Sequence, residues 1–89
     1  MFVIRTYTYP LISEGIFSPP APGNILTVTE DGEDICFHVV IDTETNVYHN
    51  CRILLRKTEE DLDRAFGTTY IGYAKGYYVF YEVASIQER

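Results

Sequence analysis

Between Phe2 and Ser85 the chain is a succession of short β-branched and aromatic runs, each closed by a turn signal. That rhythm limits the fold to a β architecture, because such runs suit strands and the punctuation leaves little room for long helices. Phe2–Tyr9 reads as a strand, which Pro10 ends or marks as an edge. Residues 18–24 are a turn-rich connector, with Ile16-Phe17 a short strand before it. Ile25–Thr29 reads as the next strand, and Glu30–Asp34 as a hairpin turn in which Asp31-Gly32 supplies positive φ. Ile35–Asp42 is a strongly apolar, central strand; Thr43–Asn46 turns the chain, and Val47–Leu55 follows as a strand. Thr58–Phe66 reads as one short helix, with Thr58 as N-cap, acids in the first turn and Gly67 as the stop. The expectation is a mainly β fold (α+β minor): an antiparallel sheet of five or six strands with one short helix, residues 1–89 forming a single domain.

The last third reads as a hairpin, 68–74 pairing with 77–85 across Lys75-Gly76. A two-residue loop sets Tyr73 opposite Tyr78, Ile71 opposite Phe80 and Tyr70 opposite Tyr81. Tyr70, Tyr77 and Tyr81 then share one side; Ile71, Tyr73, Tyr78 and Phe80 share the other. Neither side is polar. One should pack on the core and the other on a partner, so a homo-oligomer, dimer or tetramer, is expected.

Charge and composition exclude several functions. A net charge of −6 is a poor footprint for gripping long DNA or RNA, which needs a basic face to displace counterions. No apolar run approaches the roughly 18 residues of a membrane span, and Arg5 interrupts the opening stretch that a leader would need. Two cysteines do not make a disulfide scaffold, and a cytoplasmic location is the default.

Three groups of residues could carry chemistry. A turn at 43–46 would set His38 opposite Cys51, with Cys36 and His49 on the same side, which suggests a tetrahedral zinc site. Strand alternation alone also produces such groupings, and free cysteine is a common small core residue, so no metal is expected. A Cys–His nucleophile pair would need an orienting third group and an oxyanion site that the sequence does not offer, so no catalytic residue, no cofactor and no enzymatic activity are expected. Arg52, Arg56 and Lys57 are a local exception in an acidic chain. Arg52 and Arg56 share strand parity, and a guanidinium makes paired bonds to phosphate. Tyr rings stack on bases. The alternative is that these cations pair with the acids of residues 59–63 and that the tyrosines are core.

The order Tyr9-Pro10-Leu11, a Pro/Gly connector, Ile25-Leu26-x-Val28, Cys36 opening an apolar strand that ends in Asp42, Arg52-Ile53, Tyr70-Ile71-Gly72 and Val79-Phe80-Tyr81-x-Val83 resembles a family of short tailed-phage proteins. It departs from that family's pattern at His38, where an aromatic is usual, and at Leu55–Thr58, where a Gly-Thr-Gly-His stretch is usual. In scale and character the chain is also similar to the anti-CBASS sponges of phages, compact β oligomers that bind cyclic nucleotide immune signals without cleaving them. The resemblance implies a non-enzymatic immune-evasion protein in the cytoplasm of an infected bacterial host, sequestering a cyclic dinucleotide-type signal. Arg52, Arg56 and Lys57 would then meet phosphate, and Tyr9 and Tyr70 would stack on or line the site. The competing reading is an acidic, nucleic-acid-mimicking inhibitor of a host defence enzyme, working through the acids at 30–34 and 59–63.

Overall fold

A computed structural model describes residues 1–89. Seven strands form two antiparallel sheets: β1 (Phe2–Tyr9), β2 (Glu14–Phe17), β3 (Pro22–Asp31), β4 (Asp34–Asp42), β5 (Val47–Arg56), β6 (Thr69–Ala74) and β7 (Tyr77–Glu88). Sheet order is β1-β4-β3 in the first and β2-β5-β7-β6 in the second. The mainly β, antiparallel expectation holds, but as two packed sheets instead of one. No helix is long and apolar enough to cross a membrane.

The division into two sheets corrects the expected pairing of Ile35–Asp42 with Val47–Leu55. Every second residue of β4 (Ile35, Phe37, Val39, Ile41) is fully buried, as are Cys51, Ile53 and Leu55 on β5. Two strands with such faces bury more apolar surface in opposite sheets, against one core, than side by side. Residues 43–46 therefore cross between sheets: the Thr43 amide donates to the Met1 carbonyl, and the Glu44 amide to the Asp42 carboxylate. His38 stands opposite Thr6 and Thr27, and not opposite Cys51.

Bulges decide which side chains enter the core. Ile25 and Val28 have opposite parity, yet both are buried, because the register of β3 against β4 shifts between Ile25 and Thr27. On β6 the register shifts between Tyr70 and Gly72, so Tyr70 faces Phe80 and Thr69 faces Tyr81. The expected pairs Ile71–Phe80 and Tyr70–Tyr81 are corrected by that one extra residue. Ile71 joins Tyr77 and Tyr81 against the core, and Tyr70 turns outward with Tyr73, Tyr78 and Phe80. The loop of this hairpin is as expected, with positive φ at both Lys75 and Gly76.

The helix expected at 58–66 does not form. Only a 3-10 turn, Asp63–Ala65, is present within the strap that runs from Lys57 to Thr68. A helix there would stack Leu62, Ala65 and Phe66 on one face, but the fold does not bury that stripe: Ala65 is the segment's buried residue, while Phe66 and Leu62 are exposed. Local carboxylates satisfy the backbone instead. Glu60 accepts from the Lys57 amide and Asp61 from the Asp63 amide, and Glu59 takes positive φ.

Candidate functional site

The outer face of the second sheet gathers most of the residues that the sequence singles out. Register places them in rows: Arg56 beside Tyr78 and then Tyr73; Leu54 beside Phe80 and then Tyr70; Arg52 beside Glu82. The strap crosses the β5 column of this face. Leu54 lies between the two arginines that hold the strap and is 0% exposed, although it points away from the main core. The consecutive run Ile53-Leu54-Leu55 is the sequence signal for a strand buried on both faces.

Arg52 and Arg56 share this face but differ in charge balance. Arg52 pairs with Glu82 at 2.7 Å and Glu14 at 3.0 Å and donates to the Arg64 carbonyl at 3.1 Å. Arg64 also pairs with Glu14, so two guanidinium groups meet two carboxylates. Hydrogen bonds from Arg64 and Arg52 hold the Glu14 carboxyl below its ordinary range, and Glu82, then Glu14, raise the Arg52 guanidinium. Arg56 donates only to main-chain carbonyls: Nε to Asp61 at 3.1 Å, and Nη1 to Ser13 at 2.8 Å and to Leu55 at 3.0 Å. It forms no ion pair, and its Nη2 makes no hydrogen bond. Arg56 is thus a positioned, half-buried cation with unspent donors at the border of an aromatic face.

The β7 and β6 columns of that face are open. Tyr70 and Tyr73 are 53% and 56% exposed. Ring centroids lie 4.7 Å apart for Tyr73–Tyr78, 5.4 Å for Tyr70–Phe80 and 6.5 Å for Tyr70–Tyr78, a continuous tilted array. No pocket indents the surface, so any ligand of this face meets an open platform.

The remaining expected site residues lie elsewhere. Lys57 extends over the Tyr77 ring, 5.4 Å from its centroid. Tyr9 is 5% exposed and packs in the core on Phe37 and Phe17, and burial raises its phenol above the ordinary value. Tyr73, Tyr78 and Phe80 join Tyr70 on the platform. The unbulged hairpin register would have grouped these three together without Tyr70.

The Cys and His residues do not converge. Cys36 and His38 lie on β4 at half-buried positions, with His38 Nε2 2.9 Å from Thr29 Oγ1. Cys51 is in the core of the other sheet, where burial pushes its thiol up to about 11. A thiol so protonated is no nucleophile at neutral pH. No three His, Cys, Asp or Glu side chains are placed to share a metal ion.

Comparison with protein-family models, with curated proteins and with solved structures finds no match to this chain.

Proposed function

We propose that this chain is a non-enzymatic phage immune-evasion protein that sequesters a cyclic oligonucleotide signal in the cytoplasm of an infected bacterial host. The observation that carries the reading is Arg56: a cation fixed by three carbonyls, without a carboxylate partner, in register with Tyr78 on an open aromatic platform. A cyclic dinucleotide or trinucleotide offers phosphates to such a guanidinium and bases to the rings. Sequestration needs affinity and no chemistry. Arg52, neutralised by Glu14 and Glu82, serves the scaffold in this reading, and Lys57 adds a more distant positive charge.

Thermal-shift and calorimetric titration with a panel of cyclic dinucleotides and trinucleotides tests the reading, because a ligand of the folded state raises the melting temperature. Arg56→Ala and Tyr78→Ala should each weaken binding at least tenfold, about 1.4 kcal/mol, in protein that still folds. Arg52→Ala should instead lower the melting temperature of the free protein. A panel that produces no shift at ligand concentrations far above micromolar sinks the proposal.

A further inference from the structure

We infer that β1 is the surface through which two copies of this chain associate, edge to edge, into one continuous six-stranded sheet. The molecule has four edge strands and one further open stretch, β7 from Glu82 to Glu88, which runs past the end of β6 and is guarded by two carboxylates and a bulge at Ala84. Three of the edge strands are guarded as well. β2 is only four residues long and is followed by Pro19-Pro20. β3 begins at Pro22, which has no N–H, is bulged twice and ends in Glu30-Asp31. β6 carries the bulge at Ile71 and packs on β3, where a side chain at Gly72 would stand 3.1 Å from Val28. Short length, proline, bulges, charge and cover are the usual means of blocking strand addition.

β1 has one of these guards, the charge of Arg5, and lacks the others. Its eight residues run in unbroken register along β4, without proline and without a carboxylate, in a chain that carries 13 acidic residues. The Thr43 amide bonds the Met1 carbonyl, which sets the phase of the ladder. Odd-numbered residues of β1 therefore bond β4, and Phe2, Ile4, Thr6 and Thr8 present N–H and C=O groups to the open edge. Phe2 and Ile4 are 70% and 63% exposed on the outer face beside that edge.

The sequence of β1 selects a second copy as the occupant. A two-fold axis at Ile4 sets Ile4 opposite itself, Phe2 opposite Thr6 of the other copy, and Val3 opposite its Arg5. The three outward-facing pairs exchange about six backbone hydrogen bonds. Phe2 and Ile4 of both copies then merge into one apolar strip. An axis at Arg5 would set like charges directly opposite, and an axis at Thr6 would set Phe2 against Pro10, which has no N–H to give. The absence of carboxylates from β1 also keeps the joint clear of the repulsion expected between two chains of charge −6.

Sedimentation of the full chain, wild type and Ile4→Pro, tests this. Proline at position 4 deletes only an N–H that points to the open edge, so the bonds between β1 and β4 remain. The wild type should sediment at twice the 10.3 kDa chain mass, and Ile4→Pro at the chain mass with an unchanged far-ultraviolet spectrum. A wild type that stays monomeric up to about 1 mM overturns the proposal, as does an Ile4→Pro protein that dimerises like the wild type. If Ile4→Pro does not fold, amide exchange of the wild type decides. Protection of the Ile4 and Thr6 amides that rises with protein concentration supports the joint, and fast exchange at every concentration refutes it.

Discussion

Tyr9 and Gly15 show how one side chain sets the identity of another. The Tyr9 hydroxyl is buried without a hydrogen-bond partner and lies where a Cβ on Gly15 would be, with Ile12 also within 2.8 Å of that point. A buried unsatisfied hydroxyl carries a penalty of about 1–3 kcal/mol. Tyr9→Phe should therefore leave stability unchanged or raise it, by up to about 1 kcal/mol. Gly15→Ala should lower stability by about 1–3 kcal/mol through overpacking. Urea unfolding of both variants checks the pair, and a marked loss in Tyr9→Phe would show that the hydroxyl is satisfied in solution. Arg52 and Arg56 are separated at this same scale. They have the same residue type and parity, but two carboxylates reach one and only carbonyls reach the other.

Among the elements, the strap from Lys57 to Thr68 depends most on charge. It lies on the sheet over Leu54, and Glu14 ties its Arg64 to the sheet's Arg52. The folded-state pKa of Glu14 is depressed below 4.5, chiefly by Arg64 and then Arg52. Its contribution is therefore present above pH 4.5 and is lost as pH falls through the lower folded value. The strap should loosen in that acid range before the core does. Limited proteolysis at residues 62–66 with an acid-active protease should show cleavage appearing below pH 4.5, and Glu14→Gln should show it already at neutral pH. Equal resistance of wild type and Glu14→Gln at neutral pH would refute this role. The strap also shows why acidic residues after a fair N-cap are insufficient for a helix: favourable ends do not replace tertiary burial of an apolar face, and Leu62 and Phe66 stay exposed.

At the scale of the whole molecule, two thin sheets share one core, and the fully buried Phe37 is the bulkiest of the side chains sealed in it. A domain of 89 residues has a stability of about 5–13 kcal/mol. Phe37→Ala should cost about 3–5 kcal/mol and leave the chain marginal or unfolded at room temperature. Circular dichroism melting would show it, and a loss of less than about 1 kcal/mol would mean that the core collapses around the gap. The same geometry separates two surfaces: the aromatic face belongs to the second sheet, and the β1 edge to the first. The proposed ligand capture and the proposed self-association would therefore occupy different sheets, and each variant tests one without removing the other.

Strand positions were readable in the residues themselves. Phe2–Tyr9 matches its element, and the other main strands begin or end within about three residues of their turn signals. Period-two alternation and turn chemistry are local, so one sequence suffices to read them. Assignment of β4 and β5 to opposite sheets depended on which pairing buries more surface, a property of the assembled core. The outward turn of Tyr70 depended on one bulge; Gly72 inside the strand marks a place for such an irregularity but does not say which neighbour it turns outward. The burial of Tyr9 and the distinction between Arg52 and Arg56 arose the same way. Each was decided by groups distant in the chain (Phe37, Glu14, Glu82 and Ser13) that only the tertiary fold brings within reach.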